Sequence, residues 1–372
     1  MIKKLILFFL AFAFIMVFVS CRPDRSWEQK IITTETVFET VVQTVEVEKI
    51  SPYAYELLRG MAKVDNYIGG PAAGHSIAFA NISSGLSYTS LVQESIVWEW
   101  IEAGGTEDSI MVLDNMTDRE KAIENAEAVF SQGIEVFIEF FSDIDINAHV
   151  GMKAKENNVY MIGVEVEVPG FPLMGIDNYG AGVLAGQWAA GMVEPVYGGW
   201  GNVDRLVYLG PGDPDSKAAL SVYGSKVEMV YSFGNEADHE MEGSKAVMAG
   251  GVFMAGDGGR AISDVLNSYP EDENIIVFCL NDSVAEGVYK AALEKGRWDP
   301  DKWLIISQGL DERGKQLVVE GVIDASIAFF PEKYGDYLIP AALAHIYGNP
   351  VPPYIFMENA VITSGNIGEY YP

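Results

Sequence analysis

Polar and aromatic side chains follow several apolar segments of this 372-residue chain. The segment IIVFC runs into Asn281 and Asp282, and similar segments run into Glu165, Asp311 and Phe329. The carboxyl ends of parallel strands lie at one edge of a sheet, where open α/β proteins bind their ligands. Carboxylates and amides bind hydroxyl groups, and aromatic rings cover C–H surfaces. We therefore expect a site for a polar neutral ligand that contains Tyr88, Phe141, Glu165, Asn281, Asp311 and Phe329.

A simpler interpretation applies to each of these side chains taken alone. Asp282 or Ser283 can cap the helix that follows, because an oxygen at that position accepts a hydrogen bond from a free N–H group. For residues 275–287 by themselves, capping is the simpler explanation. The recurrence of such residues at one predicted sheet edge favours a ligand site.

Sequence motifs of enzymes and of metal sites are absent. The chain contains no G-x-S-x-G, no H-E-x-x-H and no phosphate-binding loop. The histidines do not have the spacing of metal ligands, and the calcium-like segment DIDIN has Ala148 in place of the glycine and Ala154 in place of the final glutamate. We expect no catalytic residue, no metal and no cofactor.

The chain is strongly acidic, with 53 Asp and Glu residues against 24 Lys and Arg residues and a net charge of -29. Such a charge repels phosphate backbones, and no cluster of basic residues reverses it locally. Nucleic acid is therefore excluded as a partner.

The N-terminus is typical of an export signal. Lys3 and Lys4 precede the apolar segment LILFFLAFAFIMVFVS, which is short for a membrane span, and Cys21 follows it directly. FVSC resembles the bacterial lipoprotein signal, in which the cysteine becomes the lipidated first residue. We expect residues 1–20 to be a lipoprotein signal peptide and the folded part to lie outside the cytoplasmic membrane, held there by lipid on Cys21. An uncleaved membrane anchor is the alternative. Cys279 then has no disulfide partner, and its apolar strand predicts a buried thiol.

Strand-like and helix-like segments alternate from Ser76 onward. In the first half, the pattern predicts strands at 76–82, 109–115, 136–141 and 159–165, and helices near 87–102, 117–132 and 144–157. In the second half, it predicts strands at 205–210, 275–280, 304–309 and 324–330, and helices near 178–193, 215–228, 259–268, 283–295 and 311–320. Alternation of this kind predicts an α/β protein with two doubly wound, Rossmann-like lobes built on parallel sheets.

Residues 75–371 resemble the type I periplasmic binding proteins, in particular the ribose/galactose-like sugar receptors of ABC importers. The matching segments are GIDNYGAGVLAG, FCLNDSVAEGVYKAALEKG, ISQGLDERGKQLVVEG and ITSGNIGEYYP. The resemblance implies two lobes joined by a hinge of three crossovers near Ile176, Phe329 and Pro350. The expected domains are a membrane tether and junction at 21–74, an N-terminal lobe at 75–175 plus 330–350, and a C-terminal lobe at 176–329 plus 351–372.

The resemblance also assigns roles within the expected site. Asn281 and Asp311 match the amide and the carboxylate that bind ligand hydroxyls, and Tyr88 falls at a position that stacks on the sugar. Glu165 takes the place of a hydroxyl-binding aspartate. Val166 stands where ribose receptors have arginine, and Phe329 stands where they often have glutamine. These departures argue against ribose itself and against anionic ligands.

The expected function is that of an extracytoplasmic solute-binding lipoprotein, with a neutral sugar as ligand and ABC permease subunits as partners. Three alternatives remain open at this point. The same fold serves receptors for nucleosides or signalling molecules, and a binding lobe can deliver its ligand to a membrane sensor kinase. A secreted α/β glycosidase with two carboxylates is the alternative from another class.

Overall fold

The computed structural model describes residues 51–213 and 216–372. The predicted signal peptide, the predicted lipidation site Cys21 and the expected tether up to residue 50 lie outside this part of the chain. Within it, no helix is both long and apolar enough to cross a membrane.

The first lobe is built on a sheet of six parallel strands, in the spatial order β11-β5-β4-β3-β1-β2. The strands are β1 (Ile77–Asn81), β2 (Ile110–Asp114), β3 (Val136–Glu139), β4 (Tyr160–Val164), β5 (Leu173–Gly175) and β11 (Tyr354–Phe356). The helices of this lobe are α1 (Tyr55–Ala62), α2 (Ser87–Glu102), α3 (Arg119–Phe130), α4 (Ile144–Glu156) and α10 (Gly335–Ile346).

The second lobe has a sheet with the order β12-β10-β9-β8-β6-β7, in which only β12 runs antiparallel. Its strands are β6 (Arg205–Leu209), β7 (Ala246–Ala249), β8 (Ile275–Cys279), β9 (Trp303–Gly309), β10 (Ala325–Ala328) and β12 (Ala360–Ile362). The helices that follow β5, β6, β7, β8 and β9 are α5 (Asn178–Tyr197), α6 (Ala219–Phe233), α7 (Ala255–Ser268), α8 (Asp282–Glu294) and α9 (Glu312–Val319), and α11 (Ile367–Tyr370) closes the described chain.

The central strands are largely apolar, because helices cover both faces of each sheet. Every residue of β1 and of β8 is buried, as expected for parallel strands with helices on both faces. Cys279 is buried in β8, as its apolar surroundings predict. The predicted fold class, two α/β lobes with largely parallel sheets, is confirmed.

The chain passes between the lobes three times. The first two passages leave β5 at Ile176 and β10 at Phe329, close to the expected positions. The third was expected near Pro350, and this prediction is wrong. β11 pairs with β5 in the first sheet, so the chain crosses only between Phe356 and Ala360. Residues 351–356 therefore belong to the first lobe and not to the second.

The segment 51–74 was expected to be a junction, but part of it is integral to the first lobe. Leu58 of α1 is completely buried in the same apolar cluster as Trp100 and Leu338. The Arg59 guanidinium lies 3.4 Å from the centre of the Tyr337 ring and donates to the Asp336 carbonyl at 2.5 Å. α1 thus packs against α10 as a structural element of this lobe.

A buried carboxyl group lies at the end of β3. Glu139 accepts a hydrogen bond from the Asn115 amide at 2.8 Å, while its second oxygen has no partner. Burial raises the pKa of Glu139 to about 8, because the charged form loses its hydration inside the lobe. The first lobe therefore contains a carboxyl group that keeps its proton at neutral pH.

Candidate ligand-binding site

A cavity of about 410 Å³ lies between the lobes, at the carboxyl ends of the strands. Five of the six predicted site residues line it: Tyr88, Glu165, Asn281, Asp311 and Phe329. The other lining residues are Ile176, Asn178, Asp282, Ser283, Gln308 and Gly309. Strand ends that are far apart in the sequence therefore meet in one cleft, as the sheet-edge argument predicts.

Phe141 is the exception among the predicted residues. Its side chain is only 2% exposed and packs in the core of the first lobe with Phe137 and Ile146, away from the cleft. Side chains two and four positions apart on an extended chain share a face, so Phe141 follows Phe137 to the α3 and α4 side of the sheet. The prediction that Phe141 lines the cleft is wrong.

Asn281 is both a helix cap and a cleft residue. Its side-chain oxygen accepts a hydrogen bond from the backbone N–H of Val284 at 2.9 Å, and its amide donates to the Phe253 carbonyl at 3.0 Å. A carboxamide has two N–H donors and two acceptor lone pairs. One donor and one lone pair therefore remain for a ligand after the cap is made.

Asp282 does not cap the helix, although that was the simpler expectation. It is buried beneath the cleft, where one oxygen accepts from the hydroxyls of Ser307 and Ser326 and the other accepts from the backbone N–H of Asp311 at 3.0 Å. Burial raises the pKa of Asp282 to about 7. A side chain on Gly314 would collide with this carboxylate. Asp282 thus ties β9 and β10 to the start of α9 and fixes the position of Asp311.

Asp311 is the N-cap of α9. Its Oδ1 accepts from the Gly314 N–H at 2.8 Å. Its Oδ2 has no hydrogen-bond partner among the described residues, and the side chain is only half-buried. The geometry offers a ligand the whole of Oδ2 and one lone pair of Oδ1.

Glu165 belongs to a chain of three side chains at the cleft wall. The hydroxyl of Tyr334 donates to Oε1 of Glu165 and lies 2.7 Å from the hydroxyl of Tyr88. Oε2 of Glu165 accepts from the Ile176 N–H at 3.4 Å. Burial raises the pKa of Glu165, and the hydrogen bond from Tyr334 opposes this shift. Both tyrosines have raised pKa values, first because of burial and then because of the charge of Glu165.

The lining contains no Lys, Arg or His within the part of the chain that the structure describes. Lys217, at the start of the helical region after β6, lies outside the lining, pairs with Glu167 at 3.1 Å and stays half exposed. No group of metal-ligating side chains is found among the described residues. The cleft therefore presents carboxylates, amides and aromatic rings, a set that binds hydroxyl groups and does not favour an anion.

Comparison with known proteins identifies the architecture. The profile of the periplasmic binding protein domain matches residues 77–350, most of the described chain. The chain belongs to the periplasmic binding protein family. A search of curated proteins gives no match.

Solved structures share the fold of this periplasmic binding protein at low sequence identity. A periplasmic ribose ABC transporter protein of Conexibacter woesei is 15% identical with a TM-score of 0.67, over 81% of this chain and 96% of that chain. A solute-binding protein of Actinobacillus succinogenes with bound D-allose is 16% identical with a TM-score of 0.64, over 80% and 100%. A solute-binding protein of Bacillus halodurans with bound myo-inositol is 17% identical with a TM-score of 0.64, over 80% and 98%.

The sequence analysis did not predict Gln308 in the lining of the cleft or Tyr334, which is buried behind the lining residues Tyr88 and Glu165. Gln308 is 5% exposed, lines the cavity and has no side-chain hydrogen bond among the described residues. A polar residue inside the apolar run of β9 was the signal that pointed to it. Tyr334 lies on the second crossover, and its contact with Glu165 joins residues 169 positions apart. No local pattern indicates such a contact.

Proposed function

We propose that this periplasmic binding protein is the solute-binding lipoprotein of an ABC importer and binds a neutral carbohydrate in the cleft between its lobes. The composition of the cleft carries the proposal. Hydroxyl-binding amides and carboxylates converge with two aromatic rings, and no cationic side chain joins them among the described residues.

The unused hydrogen-bonding capacity of the cleft suits a ligand with several hydroxyl groups. Gln308 has its whole carboxamide free, Asn281 keeps one donor and one lone pair, and Asp311 keeps one oxygen. Buried polar groups are costly when unpaired, so a ligand that pairs all three binds better than one that lacks a hydroxyl. Phe329 and Tyr88 line the same cavity and supply apolar contact for the C–H faces.

The ligands of the structural neighbours support this class. D-allose and myo-inositol, named with two of those proteins, are neutral and carry hydroxyls on adjacent carbons. A carboxylate next to a carboxamide can accept from and donate to such a pair. Aromatic cover by Phe329 also suits a nucleobase, so a nucleoside is the second candidate ligand.

Two of the three cleft carboxylates, Glu165 and Asp282, are committed to structural contacts, which supports binding without catalysis. Glu165 accepts from Tyr334, and Asp282 accepts from two serines and a backbone N–H. A glycosidase needs one carboxyl group as a free acid beside a second carboxylate. In the proposed role the protein carries its ligand to permease subunits, and lipid on Cys21 keeps it at the outer side of the cell membrane.

A thermal-shift screen of the purified protein tests the ligand class. We expect a neutral sugar or polyol to stabilise the protein by about 2.7 kcal/mol at 100 times its Kd. Calorimetry on the best ligand, with Asn281→Ala as the cleft variant, then locates the binding. Stabilisation by nucleosides alone would favour the second candidate, and turnover of glycosides would establish an enzyme. No stabilisation by any member of the panel would contradict the proposal.

A further inference from the structure

A second and larger cavity, of about 670 Å³, lies at the hinge. We call it the hinge cavity; its walls are α1, α2, the start of α10, the second and third crossovers and Tyr370. It shares no lining residue with the ligand cleft. The two cavities are close in the sequence, because Phe329 lines the cleft and Phe330 lines the hinge cavity. α1 and Tyr370 lie outside residues 77–350, which match the family profile.

The hinge cavity has an excess of carboxylates. Its lining contains the acids Asp65, Glu99, Glu332, Asp336 and Glu358 and the cations Arg59, Lys63 and Lys333. Lys63 pairs with Glu358 at 3.0 Å. Arg59 rests on the Tyr337 ring, and Lys333 lies 4.6 Å from the centre of the Phe330 ring. The other four carboxylates have no ion-pair partner within 4 Å among the described residues.

Glu99 is the buried member of this set. It is 1% exposed and lines the cavity, and its Oε1 has no hydrogen-bond partner. Burial raises the pKa of Glu99 to about 7, and the Tyr67 hydroxyl beside it opposes this shift. A buried carboxylate oxygen without a partner is costly, and a donor that enters the cavity would remove this cost.

Aromatic side chains complete the chemistry of the cavity. Trp98, next to Glu99 on α2, is 60% exposed although it is the largest apolar side chain of the lining. Phe330, Tyr337 and Tyr370 lie in the same lining. Aromatic faces attract organic cations, and carboxylates bind their N–H groups with charge-assisted hydrogen bonds. The volume is that of a small-molecule site.

We propose that the hinge cavity is a second binding site, for a small organic cation with ammonium or guanidinium groups, which donates to Glu99 and packs on Trp98. An inorganic cation fits less well, because no group of three or more metal-ligating side chains converges in the described residues. Two crossovers line the cavity, so a molecule bound there contacts the segments about which the lobes rotate. The proposal does not depend on what the cleft binds.

Calorimetry with putrescine, spermidine and agmatine tests this site on the full-length mature protein. We expect saturable binding of one molecule per chain by at least one of them. Glu99→Gln should weaken it by roughly tenfold or more, because a charge-assisted hydrogen bond becomes a neutral one. Glu94→Gln is the matched control, since Glu94 is an exposed acid on the same helix and outside the lining. Trp98→Ala changes an exposed residue, so folding is preserved, and it should also weaken binding.

The remaining outcomes separate this site from the cleft and from diffuse attraction. Asn281→Ala should leave amine binding unchanged, and loss of amine binding in that variant would move the amine to the cleft and overturn the proposal. Equal weakening by Glu94→Gln and Glu99→Gln would show only attraction to the net charge and would also overturn it. The same conclusion follows if none of the three amines binds, or if Glu99→Gln and Trp98→Ala both bind as the wild type does.

Discussion

Tyr334 donates a hydrogen bond to Glu165 from the second crossover, while the N–H of Ile176 on the first crossover donates to the other oxygen of the same carboxylate. Glu165 therefore joins two of the three connections between the lobes and also lines the ligand cleft. A ligand that contacts Glu165 touches the region whose rotation closes the cleft.

Replacement of Tyr334 by Phe tests whether its hydrogen bond to Glu165, and not only the packing of its ring, contributes to stability and binding. The variant keeps the ring but removes the donor, so Glu165 loses its strongest partner and we expect a loss of roughly 1–3 kcal/mol in the free energy of unfolding. Ligand affinity should fall as well, because Glu165 and Tyr88 lose their fixed positions. Chemical denaturation and calorimetry measure the two effects. Tyr160→Phe is the control, since the Tyr160 ring stacks on His345 away from the cleft and should change neither. If Tyr334→Phe has the stability and the ligand affinity of the wild type, the hydrogen bond from Tyr334 to Glu165 has no such role.

Two substitutions of Asn281 should distinguish its cap from its ligand role. Asn281→Asp keeps a good N-cap oxygen but removes both N–H donors, including the one bonded to the Phe253 carbonyl, so we expect stability to fall by about 1 kcal/mol and ligand affinity to drop. Asn281→Ala loses the cap as well and should cost about 1 kcal/mol more. Melting temperatures and calorimetric Kd values check these expectations. If Asn281→Asp binds the ligand like the wild type, the side chain is a cap and nothing more.

Asp311 should determine ligand class more strongly than Phe329 does. Asp311→Ala leaves ligand hydroxyls buried and unpaired, at about 1–3 kcal/mol each, so we expect no measurable binding. Asp311→Asn retains an oxygen for the Gly314 N–H and shows how much of the loss comes from the cap. Phe329→Leu should only weaken binding and broaden the range of sugars, because apolar contact tolerates changes of shape. Calorimetry with a panel of sugars measures the affinity of each variant. If Asp311→Ala binds the ligand as well as the wild type does, the assignment of the cleft as the ligand site is wrong.

Protein stability should fall as the pH rises from about 5 to 8. Burial holds the pKa values of Glu139 and Asp282 at about 8 and about 7, whereas unfolded carboxyl groups titrate near pH 4. Across this range the native state keeps protons that the unfolded state has released, so each group removes about 1.4 kcal/mol per pH unit up to its folded pKa. Glu139→Gln cannot ionise and should give a shallower slope. The exposed Glu120→Gln is the control and should keep the wild-type slope.

Cys21→Ala tests the lipid anchor, which concerns residues outside the described part of the chain. If Cys21 carries lipid, the variant should leave the membrane fraction or retain its signal peptide uncleaved. Fractionation and intact-mass analysis of the purified protein distinguish these products. An unchanged mature mass together with unchanged membrane retention would contradict the lipoprotein assignment.

Local patterns were sufficient for most of the central elements. The predicted helix at 87–102 coincides with α2, and the buried strand β8 lies where its apolar run predicts. α10 was not predicted, because Gly335 begins it and Pro340 interrupts its hydrogen bonding. β11 and β12 have three residues each, too few for a periodic signal, and this is why the third crossover was misplaced.

The sequence predicts those cleft residues that directly follow a strand. It does not predict residues that reach the site through contacts at the hinge. Asn281 and Asp311 follow directly from their strands, but Tyr334 contacts the cleft residues Glu165 and Tyr88 only because the fold brings distant segments together. Phe141 was assigned wrongly because alternation along the extended chain, not nearness to a strand end, decides which face a side chain takes.

The first lobe contains elements that are far apart in the sequence, α1 on one side and α10 and β11 on the other, and this has a consequence for folding. Arg59 and Asp336 close a loop of 277 residues, and β11 completes the first sheet still later. Strands and helices of the second lobe up to β10 are therefore synthesised before α10 exists to cover Leu58 and Trp100. Chains that stop short of α10 leave that apolar surface uncovered, so we expect incomplete products of this protein to be cleaved by proteases and to aggregate.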